Sequence, residues 1–188
     1  MTAAKRTALA LRLKVSLQEV EPEIWRLLLV RESMTLARLH GLIQRAMGWT
    51  RSHLYQFEIH GQAFTDLETW EPFDDEDVEP GDPDLTRLAD FHFKQGAAFT
   101  YLYDFGDYWM HDVVVQEILP VPQGQRLPQC LAGARACPPE DCGGPAGYFQ
   151  LLEALYDPGH SEHESYREWL GGRFDPEAFS LHRANGRR

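Results

Sequence analysis

Residues 101–111 read YLYDFGDYWMH, a stretch that combines five aromatic side chains with two carboxylates, a glycine and a histidine. Outward from it, residues 98–105 and 109–119 have the apolar and aromatic content of two strands, and Gly106 lies at the bend between them. Alternate residues of the second strand, beginning with Trp109, share one face. The stretch therefore predicts a hairpin at the centre of the fold, with an acidic bend set among large rings.

The residues before this hairpin predict the order strand, strand, helix, strand. Residues 8–17 alternate between apolar and polar side chains, whereas 24–30 are apolar on both faces. Apolar residues recur at helical spacing over 35–47, and residues 53–59 alternate again as a third strand. This order resembles the opening of a β-grasp unit. The predicted fold class is α+β, with a mixed or mostly antiparallel sheet and the C-terminal helices packed on it.

The rest of the chain predicts loops and short helices within one domain, residues 1–188. Its segments are an acidic loop over 65–84, a turn and short strand over 85–93, an irregular segment over 130–144 and helices over 145–156 and 161–170. Pro138 and Pro139 exclude regular backbone pairing in the irregular segment. The last helix is expected to bury Tyr166, Trp169 and Leu170. The core is placed at about 8–119, followed by a cysteine- and proline-containing and helical part over 120–185.

The net charge of −11 comes from one segment of the chain. Residues 52–86 contain eleven acidic residues and no Lys or Arg, and the remainder is balanced. The first 51 residues have nine bases and four acids, so nucleic-acid binding through Arg38, Arg45 and Arg51 is an alternative, although an acidic protein repels phosphate. No apolar run is long enough to cross a bilayer, so no membrane partner is expected and a cytoplasmic location is predicted.

The first candidate site is the acidic bend with its neighbouring strand. Asp104 and Asp107 flank Gly106, and His111 lies two residues after Trp109 on the same face. Together with Glu140 and Asp141 these groups could form one acidic pocket that holds a divalent metal (Zn²⁺, Mg²⁺ or Mn²⁺) or performs acid–base chemistry. The alternative is structural: the two aspartates bond backbone amides of the turn, and His111 packs on Trp109.

Two other groups contain metal-ligand residue types. Cys130, Cys137 and Cys142 lie within 13 residues, and His160 or His163 would have to supply a fourth zinc ligand. Because the cysteine spacings match no zinc knuckle, buried free thiols are the alternative. His40, Trp49 and His53 surround the end of the predicted helix. His40 lies on its inward face, where a histidine is more often a hydrogen-bonded core residue than a ligand.

The motifs of the chain resemble those of the plasmid pRiA4b ORF-3-like family. The residues that carry the resemblance are Leu39-His40, Ile43-Gln44, Trp49, His53-Leu54, Phe57, 103–107, Trp109, His111, Cys130, Gly133, 138–141, Gly143-Gly144, Gly147-Tyr148, Trp169, 174–177 and Phe179. They span about residues 9–185. The resemblance implies a compact α+β fold found in bacteria and archaea. It also implies a link to plasmids or insertion elements, as a resolvase-like passenger protein, and carries no known catalytic residue.

We expect a non-catalytic accessory domain that recognises a protein or peptide partner in a groove formed by the aromatic motif strands and the Pro138–Asp141 segment. Many aromatics and polar anchors without a catalytic spacing favour this function. The competing hypothesis is a metal-dependent hydrolase of phosphoesters that uses the aspartate, glutamate and histidine cluster.

Overall fold

The structure, a computed structural model, describes residues 8–70 and 78–186. Part of the predicted acidic loop, residues 71–77, lies outside the described residues. The strands are β1 (Leu9–Leu17), β2 (Trp25–Arg31), β3 (Tyr55–Ile59), β4 (Gln62–Thr65), β5 (Ala98–Tyr103), β6 (Trp109–Pro120) and β7 (Gln129–Ala134). The helices are α1 (Leu36–Met47), α2 (Gly144–Tyr156), α3 (His163–Trp169) and α4 (Leu181–Ala184), with a 3-10 helix at Leu88–Phe91.

The seven strands form one sheet in the order β4-β3-β5-β6-β1-β2-β7. All paired neighbours run antiparallel, which confirms the α+β prediction. The β5–β6 hairpin occupies the middle of the sheet, and β6 pairs on its other side with β1, from Leu9 opposite Pro120 to Leu17 opposite His111. The 101–111 stretch therefore forms the central hairpin, as its sequence predicts.

Helix α1 follows β2 and precedes β3 in the chain, as predicted, and packs on the sheet. The Thr35 side chain accepts a hydrogen bond from the Arg38 N–H, and Gly48 ends the helix in the left-handed conformation (φ 110°). Leu36 and Leu39 are fully buried against the sheet. This helix places Trp49 and the loop to β3 above the central hairpin.

The structure differs from the sequence prediction at several short elements, among them strand β4, which was not predicted, and the following two. Residues 85–93 contain a 3-10 helix instead of a strand. The segment predicted to be irregular begins as β7, which pairs with β2 and ends at Ala134. The prolines at 138 and 139 follow the strand and so do not disturb it, and β7 supplies partners for the outer edge of β2.

The C-terminal helices pack unequally. Helix α2 buries Tyr148, Leu151 and Ala154, and Asn185 after α4 bonds both the N–H and the carbonyl of Cys130 on β7. Helix α3 has no fully buried residue. Of the three side chains predicted to be buried here, Tyr166 and Leu170 are partly buried against the core, whereas Trp169 is not buried. The helix lies at the periphery beside α2, where Trp169 stays about half exposed. In the described part of the chain no helix is long and apolar enough to cross a membrane.

Candidate functional site

The bend between β5 and β6 holds Asp104 in a fixed and largely buried position. Its backbone is left-handed (φ 60°), which aspartate tolerates because its short side chain can bond locally. Oδ1 accepts hydrogen bonds from the N–H groups of Gly106 (2.9 Å) and Asp107 (3.3 Å). The Asp104 N–H donates to the Leu54 carbonyl at 2.8 Å. With Asp104 only 8% exposed, Oδ2 is the oxygen left to face other groups.

His53 and Asp141 meet Asp104 at this point. His53 Nε2 lies 3.1 Å from Asp141 Oδ1 and 3.6 Å from Asp104 Oδ2. The three side chains each offer one metal-ligand atom, and these atoms lie within 4.8 Å of one another. Although Nε2 is close to Asp141, it forms no hydrogen bond of acceptable geometry with it. We call His53, Asp104 and Asp141 the triad.

Glu140 joins the cysteine- and proline-containing segment to the loop between α1 and β3. Its carboxylate accepts hydrogen bonds from the Thr50 N–H and hydroxyl, the Ser52 hydroxyl and the Tyr103 hydroxyl. Partial burial opposes its ionisation, but these donors outweigh burial, so the pKa of Glu140 is lowered. For Tyr103, burial and the bond to Glu140 both raise the pKa. Glu140 is therefore used by the protein as a structural anchor beside the triad.

Asp107 anchors the same segment to the hairpin. Its Oδ2 accepts a hydrogen bond from the Gly143 N–H at 3.1 Å. Gly144 has φ 68°, and a Cβ added to it would lie 2.3 Å from the Asp107 carbonyl oxygen. Only glycine fits this contact, because any larger residue would meet backbone. The close approach brings Asp141 to the hairpin.

His111 and Trp109 belong to the core and not to the carboxylate group. His111 is fully buried, its Nδ1 lies 3.1 Å from the Tyr101 carbonyl, and its ring meets Trp49 edge-on. Burial lowers the pKa of His111 to about 4. The predicted grouping of His111 with Asp104 and Asp107 is therefore not formed. The face that Trp109 and His111 share points into the hydrophobic layer under α1, away from the acidic bend.

His40 is a hydrogen-bonded core histidine. Of the two alternatives considered for it, a core residue or a ligand, the structure shows the first. Its Nδ1 lies 2.8 Å from the Tyr101 hydroxyl, which also receives a bond from Gln44. The ring stacks on Tyr55 with centroids 3.7 Å apart. Burial and then the charge of Arg51 lower the pKa of His40 to about 4, so its ring is neutral at pH 7.

The cysteines do not assemble with a histidine. Cys130 is buried on β7 and bonds the Ala132 carbonyl, whereas His160 bonds the Glu162 N–H in the turn after α2. All three thiols are free, and burial raises the pKa of each. Within residues 8–70 and 78–186, the triad is the one group of three or more potential ligands close enough to share an ion.

The three arginines considered for nucleic-acid binding lie on one surface. Arg38, Arg45 and Arg51 line a cavity of about 370 Å³ beside α1. Asp84 lines the same cavity, and an Arg51 nitrogen donates to the Gly41 carbonyl. The basic surface therefore also contains the carboxylate of Asp84, and the Arg51 side chain is partly occupied by its hydrogen bond within the protein.

The grouping of His53 with Asp104 was missed in the sequence because it depends on strand register. Tyr55 of β3 pairs with Tyr103 of β5, which places the residues before Tyr55 beside those after Tyr103. The two strands are separated by the acidic segment, so their pairing cannot be derived from local patterns. The available signal in the sequence was the position of His53 at the start of the predicted third strand, 53–59, which begins in the structure at Tyr55.

Glu140→Gln tests the anchor described above. We expect the variant to lose about 1–2 kcal/mol of unfolding free energy at pH 7, because an amide nitrogen would face the Thr50 and Tyr103 donors in a partly solvated site. The folded-state pKa lies below its ordinary value of 4.5, so this stabilisation is present above about pH 4.5 and is lost as the pH falls through the folded-state pKa. Urea unfolding should therefore separate the two proteins at pH 7 and bring them together once the pH lies below the folded-state pKa of Glu140.

Glu58→Gln, at an exposed position of β3, is the matched control and should remain within about 0.5 kcal/mol of the parent protein. A difference between Glu140→Gln and the parent protein that stays constant with pH would contradict the role of the ionised carboxylate.

The antiparallel sheet, with one helix between β2 and β3 and further helices after β7, defines the protein as a compact α+β domain. The family model described as Plasmid pRiA4b ORF-3-like protein matches residues 9–183. The chain belongs to the plasmid pRiA4b ORF-3-like family.

Two relatives share this fold or sequence along most of their length. An uncharacterized protein of Sinorhizobium fredii, y4hQ, is 41% identical, over 87% of this chain and 82% of the relative. The crystal structure of a protein of unknown function, MM3350 from Methanosarcina mazei Go1, superposes with a TM-score of 0.81 at 36% identity, covering 93% of this chain and 96% of that one. Both are described as uncharacterised or of unknown function, so they supply the fold and no activity.

Proposed function

We propose that this protein is a non-catalytic recognition module that binds a basic segment of a protein partner at the tip of the central hairpin. The single observation that carries the proposal is that the aromatic residues of the 101–111 motif are divided between the core and the surface. Tyr101, Tyr103 and Trp109 are buried, whereas Phe105 is 46% and Tyr108 is 58% exposed. Aromatic side chains at the surface lose apolar exposure when a partner binds, and aromatic residues are enriched among the residues that dominate binding energy.

The groove predicted from the sequence is replaced in this proposal by a surface at the hairpin tip. We define the tip surface as Leu54, Phe105, Asp107, Tyr108 and Asp141. The strand aromatics cannot form a groove because they are part of the core. Leu54 is 42% exposed and lies next to Asp104 through its carbonyl, which extends the apolar part of the surface.

The charge of the tip surface favours a basic partner. Asp141 is exposed, Asp107 is partly exposed, and Glu140 precedes Asp141 in the chain. Complementary charge guides association and excludes acidic partners. We therefore expect ligands that combine Lys or Arg with an apolar residue, in an extended segment or a loop.

The test is selection from a displayed peptide library on the immobilised protein. Selected sequences should be enriched in Lys and Arg, and their affinity should fall at least tenfold for the Phe105→Ser/Tyr108→Ser variant. Tyr156→Ser/Trp169→Ser removes exposed aromatics elsewhere and should leave the affinity unchanged. Equal loss in both variants, or selection of acidic sequences, would overturn the proposal. Salt-sensitive binding to DNA that is lost on replacing Arg38 and Arg45 would favour the nucleic-acid alternative instead.

A metal-dependent hydrolase is the second candidate function, favoured by the proximity of His53 to Asp104 and Asp141. Its direct test is hydrolysis of a chromogenic phosphodiester in the presence of Mn²⁺ or Zn²⁺, with loss of the activity in His53→Ala. The link to plasmids or insertion elements implied by the family resemblance stays a prediction.

A further inference from the structure

The triad surrounds one point with three atoms suited to a metal ion. Nε2 of His53, Oδ2 of Asp104 and Oδ1 of Asp141 come from the loop before β3, the bend of the central hairpin and the segment before α2. They lie within 4.8 Å of one another. Ligands at metal bonds of about 2.1 Å in a tetrahedron are roughly 3.4 Å apart. The observed spacing reaches this value with a small movement of Asp141, whose side chain is 71% exposed.

The two aspartates are oriented by the backbone around them. The Gly106 and Asp107 N–H groups hold Oδ1 of Asp104, which turns Oδ2 towards His53. Asp141, like Asp104, has a left-handed backbone (φ 59°), and the bond from Gly143 to Asp107 fixes the chain just after it. Fixed partners of this kind orient the ligands in metal sites and reduce the cost of assembling them.

The hydrogen bonding at the triad is incomplete, and this is an observation independent of the grouping. His53 Nε2 is buried and makes no hydrogen bond in the described part of the chain. The Asp104 side chain is 11% exposed, and its Oδ2 lies 3.6 Å from His53 Nε2. A buried ring nitrogen without a hydrogen-bond partner is costly, and a cation held between it and the neighbouring carboxylates would remove that cost.

We propose that His53, Asp104 and Asp141 bind a divalent first-row transition ion of the Zn²⁺ or Mn²⁺ class. One imidazole nitrogen and two carboxylate oxygens suit such ions better than Mg²⁺ or Ca²⁺, which prefer all-oxygen sites. The remaining coordination positions face solvent on the side of Asp141. The ion would also lower the negative charge of the tip surface.

The site does not depend on partner recognition and can be tested separately from it. Protein stripped with chelator is titrated with MnCl₂, ZnCl₂ and MgCl₂ by calorimetry. We expect one Mn²⁺ or Zn²⁺ per chain, with Mg²⁺ at least tenfold weaker. Mn²⁺ binds thiolates poorly, so its titration excludes adventitious binding by the three cysteines. X-ray absorption of the Zn²⁺ form should show nitrogen and oxygen near 2.1 Å and no sulfur at about 2.3 Å.

His53→Ala and Asp141→Asn should each weaken Mn²⁺ binding at least tenfold. The matched control is His92→Gln, which changes an exposed histidine outside the triad and should bind as the parent does. Thermal melting establishes whether each variant is folded. If His53→Ala does not fold, Asp141→Asn alone provides the test. Absence of stoichiometric binding, a sulfur shell, or unchanged affinity in Asp141→Asn would overturn the proposal. Loss of peptide selection without loss of Mn²⁺ binding would leave the metal site intact and reject only the recognition function.

Discussion

Replacement of Arg26 by leucine is expected to lower the free energy of unfolding by about 3–5 kcal/mol, because it leaves several buried carbonyl groups without a donor. Arg26 is 2% exposed on β2. Its guanidinium donates to the carbonyls of Ala46, Trp25, Ala134 and Arg135. These bonds join the last turn of α1 to β2 and the end of β7. The guanidinium also stacks over Phe179 at 4.7 Å.

Urea unfolding would measure this effect with two companion variants. Arg26→Lys keeps the charge but loses the planar set of donors, so an intermediate loss is expected. Arg31→Leu, at an exposed position of the same strand, should change the unfolding free energy by less than about 0.5 kcal/mol. If Arg26→Leu unfolded at the same urea concentration as the parent protein, the carbonyl bonds would not be holding these elements together.

Replacement of Gly144 by alanine is expected to cost about 3 kcal/mol and to separate Asp141 from the hairpin. The added Cβ would lie 2.3 Å from the Asp107 carbonyl oxygen, so backbone must move. The left-handed conformation at φ 68° adds a further penalty for a residue with a side chain. Since the same contact positions the triad, Mn²⁺ affinity should fall together with stability.

Gly96→Ala separates the cost of the steric clash from the cost of the left-handed backbone conformation. Gly96 also has positive φ (86°), but no atom lies within 4 Å of its added Cβ. We expect a loss of about 1 kcal/mol there, from conformation alone. Equal losses of unfolding free energy at both glycines would show that the 138–144 segment can withdraw from the hairpin without cost.

The local elements of the fold could be predicted because local patterns determine them. The alternation in β1, the helical spacing of α1 with its stop at Gly48, and the bend at Gly106 all appear where the sequence placed them. Strand β4 was missed although His60 and Gly61, both with positive φ, form its turn. Strand β4 has only four residues and is followed directly by the acidic segment, so no strand pattern is evident in the sequence there.

The candidate site was predicted only in part, because strand register cannot be derived from local patterns. Asp104 and Asp141 were placed in one acidic pocket, and the structure does bring them together, but with His53 in the position assigned to His111. The side on which a histidine lies is set by strand register, and one residue of shift reverses it. His111 faces the core because it is in phase with Trp109 and Val113. His53 is predicted as the first residue of the third strand but lies in the loop before β3, so strand alternation does not determine its direction.

The pairing of β1 with β6 has a consequence for how the chain folds during synthesis. The two strands are neighbours at the middle of the sheet, yet about one hundred residues separate them in the sequence. As the chain leaves the ribosome, β1, β2 and α1 are complete long before β6 emerges, so the apolar face that they share has no central partner. The first quarter of the chain therefore keeps this apolar face exposed until the middle of the chain has been synthesised. A nascent chain that stops before β6 is therefore expected to need chaperone protection, whereas one that includes β6 can close its sheet.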